Sequence, residues 1–293
     1  MDTLAFLAPP FVASLILTGI HAYLGLHVVE RGVIFVDLSL AQFAALGSAI
    51  AILVPALDSD PHGPAVYWMS LGFTLIGALV FSTIRGQRAR IPQEAIIGIC
   101  YAVASAATII AMSKATSETE HLKDMLVGNI LAVSWSEVIK TAIVYGGIGA
   151  FHYIFRNRFL AMSMDHGRAQ EMPGSRRWDF LFYASFGFVV TSSVSIAGVL
   201  LVFCYLIVPS VAAMLYADRV GTRLALGWSM GTVVSALGVY LSLVLDLPTG
   251  ATIVCTFGVV LAVMALIRPF VRARRPLAAA AMERGTGMRT LEH

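Results

Sequence analysis

The chain has 293 residues, of which 58% are hydrophobic and only 13% charged, and its mean hydropathy is +0.82. Soluble domains are nearer half apolar and a quarter charged, so this inventory cannot cover a water-facing surface. The net charge of +3 is too small to argue for nucleic acid, and the basic stretch from Arg268 to Arg275 directly follows an apolar run, where a cytoplasmic membrane anchor belongs.

Nine apolar stretches reach or approach the length of about 20 residues that a spanning helix needs. In chain order they are 4–28, 34–54, 65–84, 93–113, 136–155, 179–194, 196–217, 223–245 and 249–267. The expected fold class is all-α, a polytopic transmembrane helical bundle of eight or nine spans over 1–270, followed by a basic tail over 271–293. The sixth stretch is short and abuts the seventh near Ser195, so one of the two reads as a full span or as a partial, re-entrant one.

Charge tests this layout. With the N-terminus outside, the inner loops hold Arg31, Arg85, Arg88, Arg90, Arg156, Arg158, Arg168, Arg176, Arg177, Arg219 and Arg223, whereas the outer loops hold Lys114 and Lys123. That is the positive-inside asymmetry, and it places the C-terminus in the cytoplasm. An even number of full spans would break it, so charge favours nine, or eight with a compensating partial segment.

Met1-Asp2-Thr3 lacks a basic n-region and the first apolar stretch is too long for an h-region, so no cleavable signal peptide is expected. Leu291-Glu292-His293 reads as the start of a vector-encoded histidine tag. Cys100, Cys204 and Cys255 each stand alone in apolar runs and read as packed free thiols. Gly227 and Gly231 form a GxxxG pair, read as packing within the chain, and Gly146, Gly147 and Gly149 crowd one helix. Between spans, 114–135 is polar and turns amphipathic from Met125 to Leu131, as a short surface helix would. The longest inner connection is 156–178.

Polar groups inside hydrocarbon are costly and mark function. Those here are His21 in the first span, Asp37 and Gln42 in the second and His152 near the inner end of the fifth. Glu94 starts the fourth, where a helix N-terminus stabilises an acid. Asp37 reads either as an ion-pair partner of Arg31 or a helix cap, or as a carboxylate facing a translocation path. Carboxylate and imidazole both suit divalent metals, and His21 is the candidate imidazole. No Gly-Lys dipeptide occurs, so the chain has no phosphate-cradling loop, and an ATP-driven engine would be another polypeptide. GxSxG, HExxH and HxE…CxxC arrangements are also missing, which leaves an intramembrane hydrolase without a site.

Five stretches resemble the permease family of metal-ion ABC importers. They are Gly25 to Arg31 leading into Phe35-Val36-Asp37, Gln93 to Ile99, Leu126 to Ser134, Gly198 to Pro209, and Ser242 with Asp246-Leu247-Pro248-Thr249-Gly250. Pro209, Asp246, Pro248 and Gly250 are the structural positions of that pattern. The resemblance implies a homodimer in the bacterial inner membrane with two cytoplasmic ATP-binding subunits. It also implies an external metal-binding protein and a transported divalent ion, zinc first, then manganese or iron, with no covalently bound cofactor. It assigns ATPase coupling to Asp165, Arg168, Ala169 and Gly174. The family's Gly-Asp-x-x-x-His on the second span is not reproduced. Leu38 stands at the usual Asp position and Gln42 at the usual His position, and Asp37 is one residue early. Asp37 and Gln42, five apart, do not stack on one helix face. An ATP-independent transporter or channel is the alternative, although such proteins usually carry more than one intramembrane acid.

Overall fold

The computed structural model describes residues 3–54, 63–84, 92–113, 130–164 and 173–287, with side chains between 7 and 269. The described helices are α1 Thr3–Glu30, α2 Val36–Leu53, α3 Pro64–Ile84, α4 Gln93–Met112, α5 Trp135–Ile154, α6 Arg156–Met164, α7 Ser175–Ala197, α8 Val199–Tyr216, α9 Val220–Leu245 and α10 Thr249–Gly287. A 3-10 turn, Ile130–Ala132, precedes α5. It is the described part of the stretch expected to form a surface helix, and 125–129 lie outside the described residues.

Among the described residues, eight helices, α1 to α4 and α7 to α10, are long and apolar enough to cross a bilayer. A ninth crossing exists if α5 and α6, bent by 75°, count as one span. The count of eight or nine therefore stands, but the doubtful element is the fifth span and not the sixth or seventh. Arg176, Arg177 and Asp179 dilute the apolar signal of α7's first turns without breaking the helix, so an apolar count starts too late. The break between α7 and α8 falls at Gly198, three residues beyond Ser195. Its φ of 76° and ψ of 159° lie in a region essentially reserved for glycine.

Contacts between helices set their directions. Glu30 meets Arg223, and the Gly19 carbonyl accepts from Trp228 Nε1 at 2.9 Å, so α9 runs antiparallel to α1. Arg31 meets Asp179 and His21 meets Ser193, so α7 does too. Tyr205 lies by Ser235, and Arg223 donates to the Ala217 carbonyl, which makes α8 antiparallel to α9 and parallel to α1. One end of the bundle therefore gathers Glu30, Arg31, Asp179, Arg223 and Arg268. It is called the arginine end below.

α1 is the central helix. It packs on α8 and α9 on one side and on α5 and α6 on the other, while α2, α3, α4 and α7 form a second group. Lipid offers no hydrophobic drive for helices to associate, so close packing of small residues must supply it. A Cβ on Gly25 would lie 1.9 Å from the Leu206 carbonyl oxygen, so α1 and α8 can approach this closely only with glycine there. Gly231 faces Thr18, and Gly227 faces Pro209 and Ala22, so this GxxxG pair packs within the chain as expected. Gly146, Gly147 and Gly149 have nothing within 4 Å of an added Cβ and point outward. So do large apolar residues such as Ile99, Ile110, Ile143 and Leu266, on faces suited to acyl chains. The three cysteines are free thiols.

Candidate functional site

Three polar clusters lie in the bundle. The first is at the start of α2, where helix initiation leaves backbone N–H groups without intrahelical partners. Phe35 is the N-cap residue and has no side-chain cap. Its N–H donates instead to Glu94 Oε1 at 3.0 Å, so the acid at the head of α4 serves the neighbouring helix. Asp37, in the first turn of α2, is 2% exposed, and its Oδ1 has no hydrogen-bond partner. Glu94 Oε2 and Ser39 Oγ are buried and without partners as well. Backbone N–H groups of Asp37 and Leu38 meet its carboxylate, as at a helix start, and among the described residues the charge acting on it is Glu94, another acid. The alternative pairing of Asp37 with Arg31 is not made, because Arg31 pairs with Asp179 at 2.9 Å. Gln42 is half-buried. Five residues of helix turn it about 140° from Asp37, so the two do not converge.

The second cluster joins α1, α5 and α7 at mid-height. The His21 Nδ1–H donates to the Leu17 carbonyl at 2.8 Å, and Nε2 faces Ser193 Oγ at 3.1 Å. Tyr145 from α5 reaches the same Ser193 oxygen at 2.5 Å and Ser192 at 3.0 Å. Both imidazole nitrogens of His21 thus have protein partners. Nearby, Thr74 and Thr191 hydroxyls meet at 2.9 Å between α3 and α7. Such hydroxyl pairs tie membrane helices together at about 0.6 kcal/mol each.

The third cluster is at the arginine end. Arg31 Nη1 donates to Asp179 Oδ1 at 2.9 Å, its Nε donates to Ser163 Oγ at 2.8 Å, and its guanidinium lies 3.8 Å from the Phe182 ring centroid. The same Ser163 Oγ is 2.8 Å from His27 Nδ1, so one hydroxyl is shared between the arginine and the imidazole. His152 stacks on Phe159 with centroids 4.3 Å apart, and its Nε2 is 2.8 Å from Ser185 Oγ. Tyr23 stands over both His27 and His152.

Sequence reasoning named Asp37, His21, Gln42, His152 and Glu94 but missed Asp179, Ser163 and His27. Asp179 carried a usable signal, an acid at the edge of an apolar run with arginines before it. The coupling positions Asp165, Arg168 and Ala169 lie outside the described residues. Gly174 is described and holds φ 74° as the residue before α7. Pro209 is buried in α8 with its carbonyl against Gly227. Asp246 ends α9 in the left-handed region, φ 54° and ψ 47°, and Ser242 Oγ donates to the Leu247 carbonyl at 2.7 Å to close the turn. Among the described residues no three of His, Cys, Asp and Glu converge to hold a metal ion.

Comparison with known proteins adds an independent line. The model of the ABC 3 transport family matches residues 3–268. A manganese transport system membrane protein, MntC of Listeria innocua, is 29% identical over 239 residues, which cover 76% of this chain and 85% of that protein. A chelated iron transport system membrane protein, YfeC of Yersinia pestis, is 26% identical over 181 residues, 61% of each chain. Among solved structures, PsaBC from Streptococcus pneumoniae in complex with Fab matches with a TM-score of 0.73 at 24% identity. That match covers 90% of this chain and 93% of the other.

Proposed function

The chain belongs to the ABC 3 transport family, and from that premise we propose that it is the membrane-spanning permease of an ATP-driven importer for a divalent transition-metal ion. The observation that carries this reading is the family match itself, which spans the whole described bundle from α1 to the end of its last crossing. The chain has no Gly-Lys loop of its own, so ATP is hydrolysed by separate cytoplasmic subunits. The arginine end faces the cytoplasm of a bacterial inner membrane, as the positive-inside pattern requires. An external metal-binding protein delivers the ion at the opposite end, and two copies of the chain form the working unit.

Asp37 is the path residue in this reading. It is the buried acid with an unpartnered oxygen, and an intramembrane carboxylate left without a cation marks an ion route. His21 holds α1 to α7 through Leu17 and Ser193 and does not offer a free ring nitrogen. With imidazole withdrawn, the ligands left are oxygens, which suit manganese better than zinc. Manganese is therefore the cargo proposed, in keeping with what the Listeria relative is named for, and zinc and iron are the other arms of the test. Asp165, Arg168, Ala169 and Gly174 are the positions assigned to coupling with the ATPase.

The test is reconstitution of the chain with its ATPase subunits in vesicles, with uptake of manganese, iron and zinc measured with and without ATP. Metal uptake that needs ATP and the partner subunits is expected, with manganese ahead. Equal uptake by this chain alone would sink the proposal and favour an ATP-independent transporter.

A further inference from the structure

Two carboxylates stand near each other at the arginine end, on different helices. Asp37 is in the first turn of α2 and Glu94 in the first turn of α4. The heads of these helices lie side by side. α2 packs on α4, and Glu94 Oε1 accepts from the Phe35 N–H at 3.0 Å. Gln93 holds the head of α4 in place, its Nε2 donating to the Phe81 carbonyl at 3.3 Å and to Tyr183 Oη at 3.1 Å. Among the described residues, Glu94 is the charge that acts on Asp37.

Both acids are half used, and in the same way. The N–H groups around the start of α2 lack intrahelical partners and meet one acid or the other. Those of Ile34 and Phe35 meet Glu94, and those of Asp37 and Leu38 meet Asp37. These bonds hold both carboxylates in position and account for one oxygen of each. They leave Asp37 Oδ1 and Glu94 Oε2, which are both shut off from solvent and without a partner. Capping α2 explains the bonded oxygens and does not explain the bare ones. Like charges repel strongly where the dielectric is low, and a bare buried acceptor costs free energy. A divalent cation bound to the two bare oxygens removes both costs. Ser39 Oγ is bare as well, but two residues of helix turn it about 200° from Asp37, so it is not counted with them.

We infer that Glu94 is the second ligand of the transported ion, which is shared between Asp37 Oδ1 and Glu94 Oε2 on its way to the cytoplasm. This rests on reading Asp37 as the path residue. Asp37 is 2% exposed and Glu94 is half-buried, so Glu94 is the ligand nearer water and the one the ion leaves last. Two carboxylates without an imidazole suit manganese. Two protein ligands, with water completing the shell, also suit an ion in transit. A path has to bind well enough to admit the ion and weakly enough to release it.

The experiment measures equilibrium binding of manganese ion, without ATP, to the full chain assembled with its ATPase subunits in nanodiscs. The parent chain is compared with Glu94→Gln, Asp37→Asn and Glu94→Asp. In Glu94→Gln the amide oxygen still accepts from Phe35, so α2 keeps its cap and the melting midpoint without metal is expected to hold. Affinity is expected to fall by about tenfold or more in Glu94→Gln and in Asp37→Asn, the size of effect that follows loss of a charged partner. Unchanged affinity in Glu94→Gln beside a loss in Asp37→Asn overturns the inference and leaves the Asp37 path standing. Unchanged affinity in Asp37→Asn sinks the path reading and the inference with it, and a parent chain without saturable binding overturns the inference. If Glu94→Gln lowers the midpoint together with the affinity, Glu94→Asp decides. It shortens the reach to Phe35 but keeps the carboxylate, so affinity above that of Glu94→Gln supports the second ligand, and affinity no better makes Glu94 a cap alone.

Discussion

Two buried aspartates close to one end of the bundle are treated in opposite ways. Asp179 is 3% exposed and is held at 2.9 Å by Arg31, whose guanidinium also lies over an aromatic ring. Asp37 is 2% exposed, has an oxygen without a partner, and has an acid as its electrostatic neighbour. Sequence position does not separate them, since each lies near the start of its helix. The difference lies in what the fold supplies. Asp179 receives a cation from Arg31, 148 positions away in the chain, which makes it part of the frame. Asp37 receives no cation among the described residues, only N–H groups of its own helix's first turn, so its buried charge has to be explained by what the chain does.

If that contrast is right, removing Asp179 should cost the fold far more than removing Asp37. Asp179→Ala removes the carboxylate that Arg31 Nη1 holds at 2.9 Å, and breaking such a buried pair from one side destabilises by about 3–5 kcal/mol. Thermal unfolding in detergent should show a large loss for this variant. A midpoint close to that of the parent chain would mean that the pair is not part of the frame.

Next in size is Gly25→Ala at the seam between α1 and α8. The added Cβ would lie 1.9 Å from a backbone oxygen, which no side-chain rotation relieves. Overpacking of this kind costs about 1–3 kcal/mol. The same change at Gly147, which has open space around it, should be nearly neutral. The pair of variants measures how much of the frame depends on close approach to α1, without touching either aspartate.

Much of the frame was legible in the sequence, and the reason is physical. Bilayer thickness requires long apolar runs, so spans announce themselves wherever about 20 such residues occur together. The beginning of α7 was not legible, because Arg176, Arg177 and Asp179 look like loop residues until the Arg31 pairing is known. The bend into α6 was also hidden. Arg156, Asn157 and Arg158 read as a polar connection, yet they open a second helix that buries Phe159, Met162 and Ser163. At the site, the divergence of Asp37 from Gln42 followed from helix geometry alone. The reach of Glu94 to Phe35 did not, since it links positions 59 apart and no local pattern records which neighbour will cap a helix.

The smallest expected effect on stability is the sharpest test of the contrast. Asp37→Asn keeps the size and shape of the side chain but removes the charge. A buried charge is costly unless paired, whereas a neutral polar group is far less so. The melting temperature should therefore stay level or rise, by the equivalent of about 1 kcal/mol at most. Metal uptake in the reconstituted system should fall at least about tenfold, because the oxygen that meets the ion has lost its charge. A drop in stability approaching that of Asp179→Ala would show that Asp37 is held by a partner after all, and the two aspartates would then belong to the same class. Preserved uptake would move the ion's route away from α2 and leave its buried acid without a role.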